Sequence, residues 1–530
     1  MSRLSKEPTK RLLAVHGWTG TVLGAFLYLI ILTGAIAVFA HEIGVWSAGA
    51  ADQHAEFGPG FDAQMKTLAA SVNPEHLDEV QFFHNPAGQV VAFFHSHGEN
   101  AAGQLEDVGT RFVLDAETYD VIQRDEGFRS ELPSDDTGAL ENFIVQLHIN
   151  LHIPHPWGLY ATGLLGFVML YAAVSGLLLH KHLIKDIFVA PRLSSRLLNR
   201  RDRHILAGSW SLPFGFILAF TGAFFSFATS LGLPIVAMVA FGGDQEKLIE
   251  TVVGAPTVED DTPALLANLD NVIDLSVAEA GTTPTFIAVS HWGRADAAIT
   301  TFHPAKEGAL VGATHLFGGT TGDYQGIKPI VGTKQSASGD LLSLIGPLHF
   351  GNFGGLISKI VWLSLGLASC YVTITGLQLW MQRREEEKAW RWMSRAISVT
   401  TFGTPLALVG SGLAFFAAGA VGASVSYWTA AAFVIVAGLA IVVGFVAPSR
   451  EHLRRWLVNA LIGGLVTTPV ARMIFTGSDW LQLFAERNAT VIGVDLVLWA
   501  CAAYLFWSNR VAKQAANDTL AAKPTRLAVE

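Results

Sequence analysis

The stretch HGWTGTVLGAFLYLIILTGA, residues 16–35, decides the reading of this chain, because its outline returns as HILAGSWSLPFGFILAFTGA at residues 204–223. In each copy a histidine opens an apolar run and a Thr-Gly-Ala triplet closes it. The interval is identical in the two copies: from His16 to Thr33-Gly34-Ala35, and from His204 to Thr221-Gly222-Ala223. Further along each half comes a second histidine-bearing segment. There Leu147-His148 leads to Ser175-Gly176, and Leu348-His349 leads to Thr375-Gly376 at a spacing that differs by a single position. The chain is therefore read as a duplication that sets four histidines at matched depths.

Composition places those histidines in a membrane. Hydrophobic residues make up 51% of the 530 residues and charged ones 15%. Eight apolar runs, near 13–39, 158–180, 206–229, 356–380, 398–420, 427–447, 457–475 and 491–508, are of the order of the roughly 20 residues that cross a hydrocarbon core. The first is too long for a signal peptide and lacks a small-residue cleavage site, so it is expected to be retained as a helix. The expected fold class is an integral membrane α-helical bundle of about eight transmembrane helices carrying two exported α+β domains.

Arg and Lys set the orientation. Arg3, Lys6, Lys10 and Arg11 flank the first helix, a dense basic loop runs from Lys181 to Arg203, and Arg383, Arg384, Lys388, Arg391 and Arg395 follow the fourth helix. Arg450, Arg454 and Arg455 follow the sixth, and Arg510 and Lys513 the eighth, so every basic loop falls on one side. Both termini are expected in the cytoplasm. The segmentation is then a first helix at 10–41, an exported domain at 42–140, an interfacial segment and second helix at 141–182, and a cytoplasmic loop at 183–203. A third helix at 204–231, a second exported domain at 232–345, a fourth helix at 346–382 and a cytoplasmic linker at 383–397 follow. Four additional helices at 398–510 and a cytoplasmic tail at 511–530 complete the chain. The net charge of −9 gives no reason to expect nucleic acid as a partner. The two cysteines, Cys370 and Cys501, lie in separate apolar runs, which excludes a disulfide or a thiolate cluster from the exported segments.

Those segments read as small α+β modules. Val80 to Phe83 and Val90 to Phe94 flank Asn85-Pro86-Ala87-Gly88 as a hairpin, and Arg111 to Leu114 and Tyr119 to Ile122 flank a turn at residues 115–118. The second module is expected to hold a helix near 262–280 and strands at 285–289 and 297–302, with the Gly-rich stretch 308–339 as a surface loop. Lengths of about 100 residues allow each a modest core. His84, His95 and His97 read as members of a solvated strand, with His95 and His97 on one exposed face, and not as a metal site.

A b-type haem with two axial ligands needs two neutral imidazoles at one depth on facing helices. A pseudo-twofold axis along the membrane normal sets His16 against His204 on the cytoplasmic side and His148 against His349 on the exported side, so two haems b are expected. Two further histidines compete. His148 and His152 are spaced i, i+4 on the segment from Leu140 to Ile153, where either reaches the exported-side iron. His180 stands where the second half has Trp380, which makes it a rival on the cytoplasmic side. Pro154 and Pro156 set the start of the second helix after them, leaving the His148 segment as a separate interfacial turn. His41, His155 and His182 read as interfacial residues or caps, and the Ser/Thr-Gly pairs as small residues that let helices or a porphyrin approach closely.

Taken together, His16-Gly17-Trp18-Thr19-Gly20, His41-Glu42-Ile43-Gly44-Val45-Trp46, His148-Ile149-Asn150-Leu151-His152, the run from Ser175 to Lys181, Asp202-Arg203-His204 and Leu212-Pro213-Phe214 resemble the PepSY-associated transmembrane helix family over roughly residues 10–385. The resemblance implies a bacterial inner-membrane protein with four core helices and two periplasmic PepSY-like domains. It further implies haem-dependent reduction of a ferric siderophore or other Fe(III) chelate in the periplasm, with a quinol or a cytoplasmic reductase as electron donor and lipid as the surrounding partner. Two other classes stay open: a periplasmic binding or regulatory protein, and a transporter using the last four helices. For transport, Lys359 and Asp495 are the main intramembrane charges.

Overall fold

The computed structural model describes residues 5–49, 56–101, 103, 105–180, 188, 190–192, 195–244, 247–248, 251–252, 259–382, 384 and 387–521. Lys181, His182, Arg383, much of the expected loop 183–203 and the tail from 522 onward lie outside the described residues. The long helices are α1 (Lys6–Ala37), α5 (Trp157–Leu179), α6 (Arg196–Phe227), α9 (Gly355–Gln382), α10 (Lys388–Ala420), α11 (Val425–Val446), α12 (Arg450–Thr476) and α13 (Ala489–Ala521). All eight are long and apolar enough to cross a membrane. Shorter helices are α2 (Ala40–Ala48), α3 (Phe61–Ala69), α4 (Ala139–Asn150), α7 (Leu269–Ala280) and α8 (Ile345–Phe350).

The duplicated half forms a closed ring of four: α1 packs on α5 and α9, and α6 packs on the same two. Without a hydrophobic drive between helices in lipid, close approach depends on small residues. A side chain at Gly163 would run into Ser226 and Phe227 of α6, and one at Gly366 into Ala35 of α1.

Helices α10 to α13 form a second bundle beside this ring, joined to it through α2 and α4 in an apolar cluster that includes Trp46, Phe143, Phe415 and Val491. A buried ion pair anchors the joint. Arg472 of α12 and Asp495 of α13 are both fully buried and 2.8 Å apart, and Asp495 also accepts from the indoles of Trp46 at 2.8 Å and Trp480 at 3.0 Å. Removing one partner from such a pair costs about 3–5 kcal/mol, because the other charge is left without compensation. Asp495, expected as an intramembrane charge suited to transport, is thus closed off by Arg472 and the two indoles, and Lys359 is paired with Glu42 of α2.

Beyond one end of the ring lies a single antiparallel sheet of eight strands: β1 (Glu79–His84), β2 (Val90–Glu99), β3 (Leu105–Leu114), β4 (Val121–Phe128), β5 (Phe286–Ser290), β6 (Ala298–His303), β7 (Ala313–Gly318) and β8 (Tyr324–Ile327). The order is β4-β3-β2-β1-β5-β6-β7-β8, so the two segments meet at their first strands, with Gln81 opposite Ala288. The expectation of a separate core for each segment does not hold. Phe61, Met65, Phe82 and Phe94 of the first share one core with Leu269, Ile287, Ile299 and Phe317 of the second. The helices α3 and α7 cap each other across this core. Asp62 accepts from the amide of Leu269 at 2.9 Å, while Asp270 accepts from the amides of Asp62 at 2.9 Å and Gly60 at 3.0 Å. Each carboxylate thereby satisfies orphan donors at the other helix's N-terminus.

Two sequence expectations change here. The stretch 308–339 is not one loop: it supplies β7 and β8, with its glycines at turns and irregular positions, Gly322 at φ +72° and Gly326 at φ +122°. His95 is not on an exposed face but 1% exposed, because β2 is covered on both sides from Val90 to His95. It stacks on Phe93 with ring centroids 4.5 Å apart.

Candidate functional site: four histidine seats

Each histidine of the repeat is received by one Ser/Thr-Gly pair on a neighbouring helix. His16 of α1 places Nδ1 2.7 Å from the Ser175 hydroxyl of α5, beside Gly176. His204 of α6 stands in the same relation to α9, with Nδ1 3.0 Å from the Val372 carbonyl and 3.2 Å from the Thr375 hydroxyl, beside Gly376. At the sheet side, His349 of α8 has Nδ1 2.8 Å from the Thr221 hydroxyl of α6, beside Gly222. His148 of α4 has Nδ1 3.0 Å from the Ile30 carbonyl of α1, beside Gly34. Ser175, Thr221 and Thr375 are therefore more than packing residues, whereas the Thr33 hydroxyl bonds to the Leu29 and Ile30 carbonyls of its own helix and leaves His148 to Ile30.

The hydrogen bonds fix the tautomers. A carbonyl only accepts, so His148 and His204 carry their proton on Nδ1. Thr221 donates its hydroxyl to the Ile217 carbonyl at 2.7 Å, and Ser175 donates to Ala172 at 3.2 Å, so these oxygens accept from His349 and His16. In all four rings Nε2 is left with its lone pair, and none of the four makes a hydrogen bond through Nε2 among the described residues. This is the arrangement of a ligating imidazole whose other nitrogen is held by an outer partner. Burial keeps the sheet-side pair neutral: it lowers His148 from the ordinary imidazole value, and pushes His349 down to about 3, helped by His148.

The seats bring two of the histidines, His148 and His349, into ring contact. The rings of His148 and His349 have centroids 6.1 Å apart and planes 31° from parallel. Two imidazoles sharing one metal ion at about 2.0 Å each would have centroids roughly 6 Å apart, so the spacing of this pair would admit one. At the far end, His204 lies within electrostatic range of both His16 and His180. From His16 to the Thr33 level along α1 is about 25 Å, so His16 and the sheet-side pair sit near opposite edges of the apolar core. Among the described residues no three His, Cys, Asp or Glu side chains converge on one point. His95 instead meets Glu79 at 3.4 Å, and His97 meets Asp107 at 3.0 Å.

The rival histidines are placed differently. Helix α4 ends at Asn150, Leu151 turns left-handed at φ +58°, and His152 follows at φ +54°. His152 is thus off the helical face it was expected to share with His148. Its ring stacks on Phe143, and Nε2 meets the Phe143 carbonyl at 3.0 Å. His180 is the C-cap of α5, with Nε2 3.1 Å from the Ser209 hydroxyl, which donates onward to Ile205. That engages the nitrogen the other four leave open. Its counterpart Trp380 fills the space that Gly17 leaves on α1 and lies 5.5 Å from Trp18, with Arg384 over its ring.

Comparison with known proteins follows the duplicated half. The family described as the PepSY-associated TM region matches residues 13–383. A relative, Uncharacterized protein PA4219 of Pseudomonas aeruginosa, is 26% identical over 262 residues, 46% of this chain, and the chain spans 64% of that relative's length.

Proposed function

The chain belongs to the PepSY-associated transmembrane family, and we propose that it is a two-haem electron-transfer protein that reduces a ferric siderophore or other Fe(III) chelate on the sheet side of the membrane, for iron uptake. The observation that carries the reading is the His148/His349 pair, 6.1 Å apart with each Nδ1 held and each Nε2 open. Haem b bound at the two pairs supplies reversible one-electron transfer between Fe(III) and Fe(II). The rest is the chain's own work. Ile30, Ser175, Thr221, Val372 and Thr375 orient the rings and raise their basicity by accepting from Nδ1. Gly34, Gly222 and Gly376 make room for His148, His349 and His204.

In this reading the basic loops and both termini are cytoplasmic, a quinol or cytoplasmic reductase gives electrons to the His16/His204 end, and the sheet faces the periplasm. A ferric siderophore is too large and polar to enter the bilayer, so it accepts its electron at the surface near His148 and His349. Sealed membrane vesicles with the protein pre-reduced test this. Reoxidation is expected when a ferric hydroxamate meets the sheet side, and none when it meets the opposite side. Reoxidation from the opposite side alone overturns the orientation, and none from either side overturns the acceptor.

A further inference from the structure

At the end of the ring that carries His16 and His204, a cavity of about 250 Å³ lies between α6 and α9, lined by Asn199, Arg200 and Arg203 on one side and Tyr371, Thr375 and Gln378 on the other. Its mouth is on the outer surface. Leu356, Ile360, Leu367 and Tyr371 are exposed at helical spacing along one face of α9, and Arg203 is two turns from the exposed Trp210 on α6. That outer face is the lipid-facing surface of a membrane helix. The two arginines are the charged groups in the cavity wall among the described residues. Arg203 has no ion-pair partner among the described residues, and Arg200 uses one nitrogen on the Gln382 amide oxygen at 2.9 Å. The neighbouring carboxylate, Asp202, is taken by the guanidinium of Arg192 through two bonds of 2.8 Å, so it does not cancel them.

We propose that this seam binds the phosphate group of an anionic membrane lipid, with the acyl chains lying along the apolar face of α9 below Tyr371. Guanidinium forks match phosphate oxygens in a way a point charge does not, and basic pockets between membrane helices are suited to anionic headgroups. A free phosphate offers the same oxygens but gains nothing from the apolar stripe. Thr375 walls the cavity and also seats His204, so the lipid lies one side chain from the far histidine pair. The inference rests on the cavity alone and stands whether or not haem is bound.

The test uses the full-length protein in detergent, titrated with short-chain phosphatidylglycerol, short-chain phosphatidylcholine and inorganic phosphate, with bound ligand counted by native mass spectrometry. Phosphatidylglycerol is expected to bind and phosphatidylcholine to bind far less. Arg200→Gln with Arg203→Gln is expected to weaken phosphatidylglycerol about twenty-fivefold, from roughly fivefold per arginine near an anionic headgroup. Arg454→Gln with Arg455→Gln, an equal charge loss at the start of α12, is expected to leave it unchanged. Gln378→Glu keeps both arginines, puts a negative charge in the cavity and is expected to weaken binding as well, which covers the case of a misfolded double variant. Equal losses in the two arginine pairs, or none in the first pair and Gln378→Glu, overturn the site. Displacement of the lipid by inorganic phosphate at matched concentration overturns the lipid as its source.

Discussion

Replacing His349 with alanine is expected to remove one haem of two, so that haem per purified chain falls by about half while the remaining spectrum stays that of a bis-histidine centre. The reason is geometric. His349 faces only His148 among the four seated histidines, and its own support comes from Thr221, whereas His16 and His204 are supported by α5 and α9 about 25 Å away along α1. The companion His204→Ala is expected to remove the other half. Haem content falling to zero in either variant, with the protein still folded, contradicts two independent centres.

The second large effect tests the seats themselves. Gly34→Ala puts a methyl group 2.6 Å from Cε1 of His148, so the ring has to move, and moving it loosens the Nδ1 bond to Ile30. Loss of the low-spin signal from the sheet-side haem is expected, close in size to that of His349→Ala. Gly176→Ala is the matched control. There the new methyl stands 3.8 Å from Cε1 of His16, an ordinary contact, and both haems are expected to remain. If the two variants behave alike, the glycines serve helix packing and not the histidines.

The membrane half of this architecture is legible in the sequence because its signals are local and strong: long apolar runs, and a repeat that survives in His16, Thr33-Gly34, His204 and Thr221-Gly222. The pairing of Val80 to Phe83 with Val90 to Phe94 is legible for the same reason, a short turn at Asn85 to Gly88. What escaped depends on long-range contact. Nothing in the residues 79–84 announces that they pair with the distant residues 286–290, and that pairing is what merges two cores into one. The strands within 308–339 were hidden by glycines, which weaken the period-two pattern while serving the turns. Alternation identifies a half-buried strand, whereas β2 is covered on both sides, and His95 is therefore buried. His152 leaves the face of His148 because i, i+4 spacing holds only while the helix lasts, and α4 stops at Asn150.

The repeat reveals which segments carry the four histidines, but not the groups that hold them. In the sequence Ser175, Thr221 and Thr375 have the character of small packing residues, and their hydrogen bonds to imidazole depend on which helices lie side by side. Likewise Arg472 is one arginine in an apolar run, and only the fold shows that it faces Asp495.

The seated histidines are proposed to hold haem. The most direct test is the reduced-minus-oxidised visible spectrum of the purified protein together with a haem-to-protein ratio, from cells supplied with haem. Two low-spin b-type haems per chain are predicted; a colourless preparation of folded protein contradicts the account.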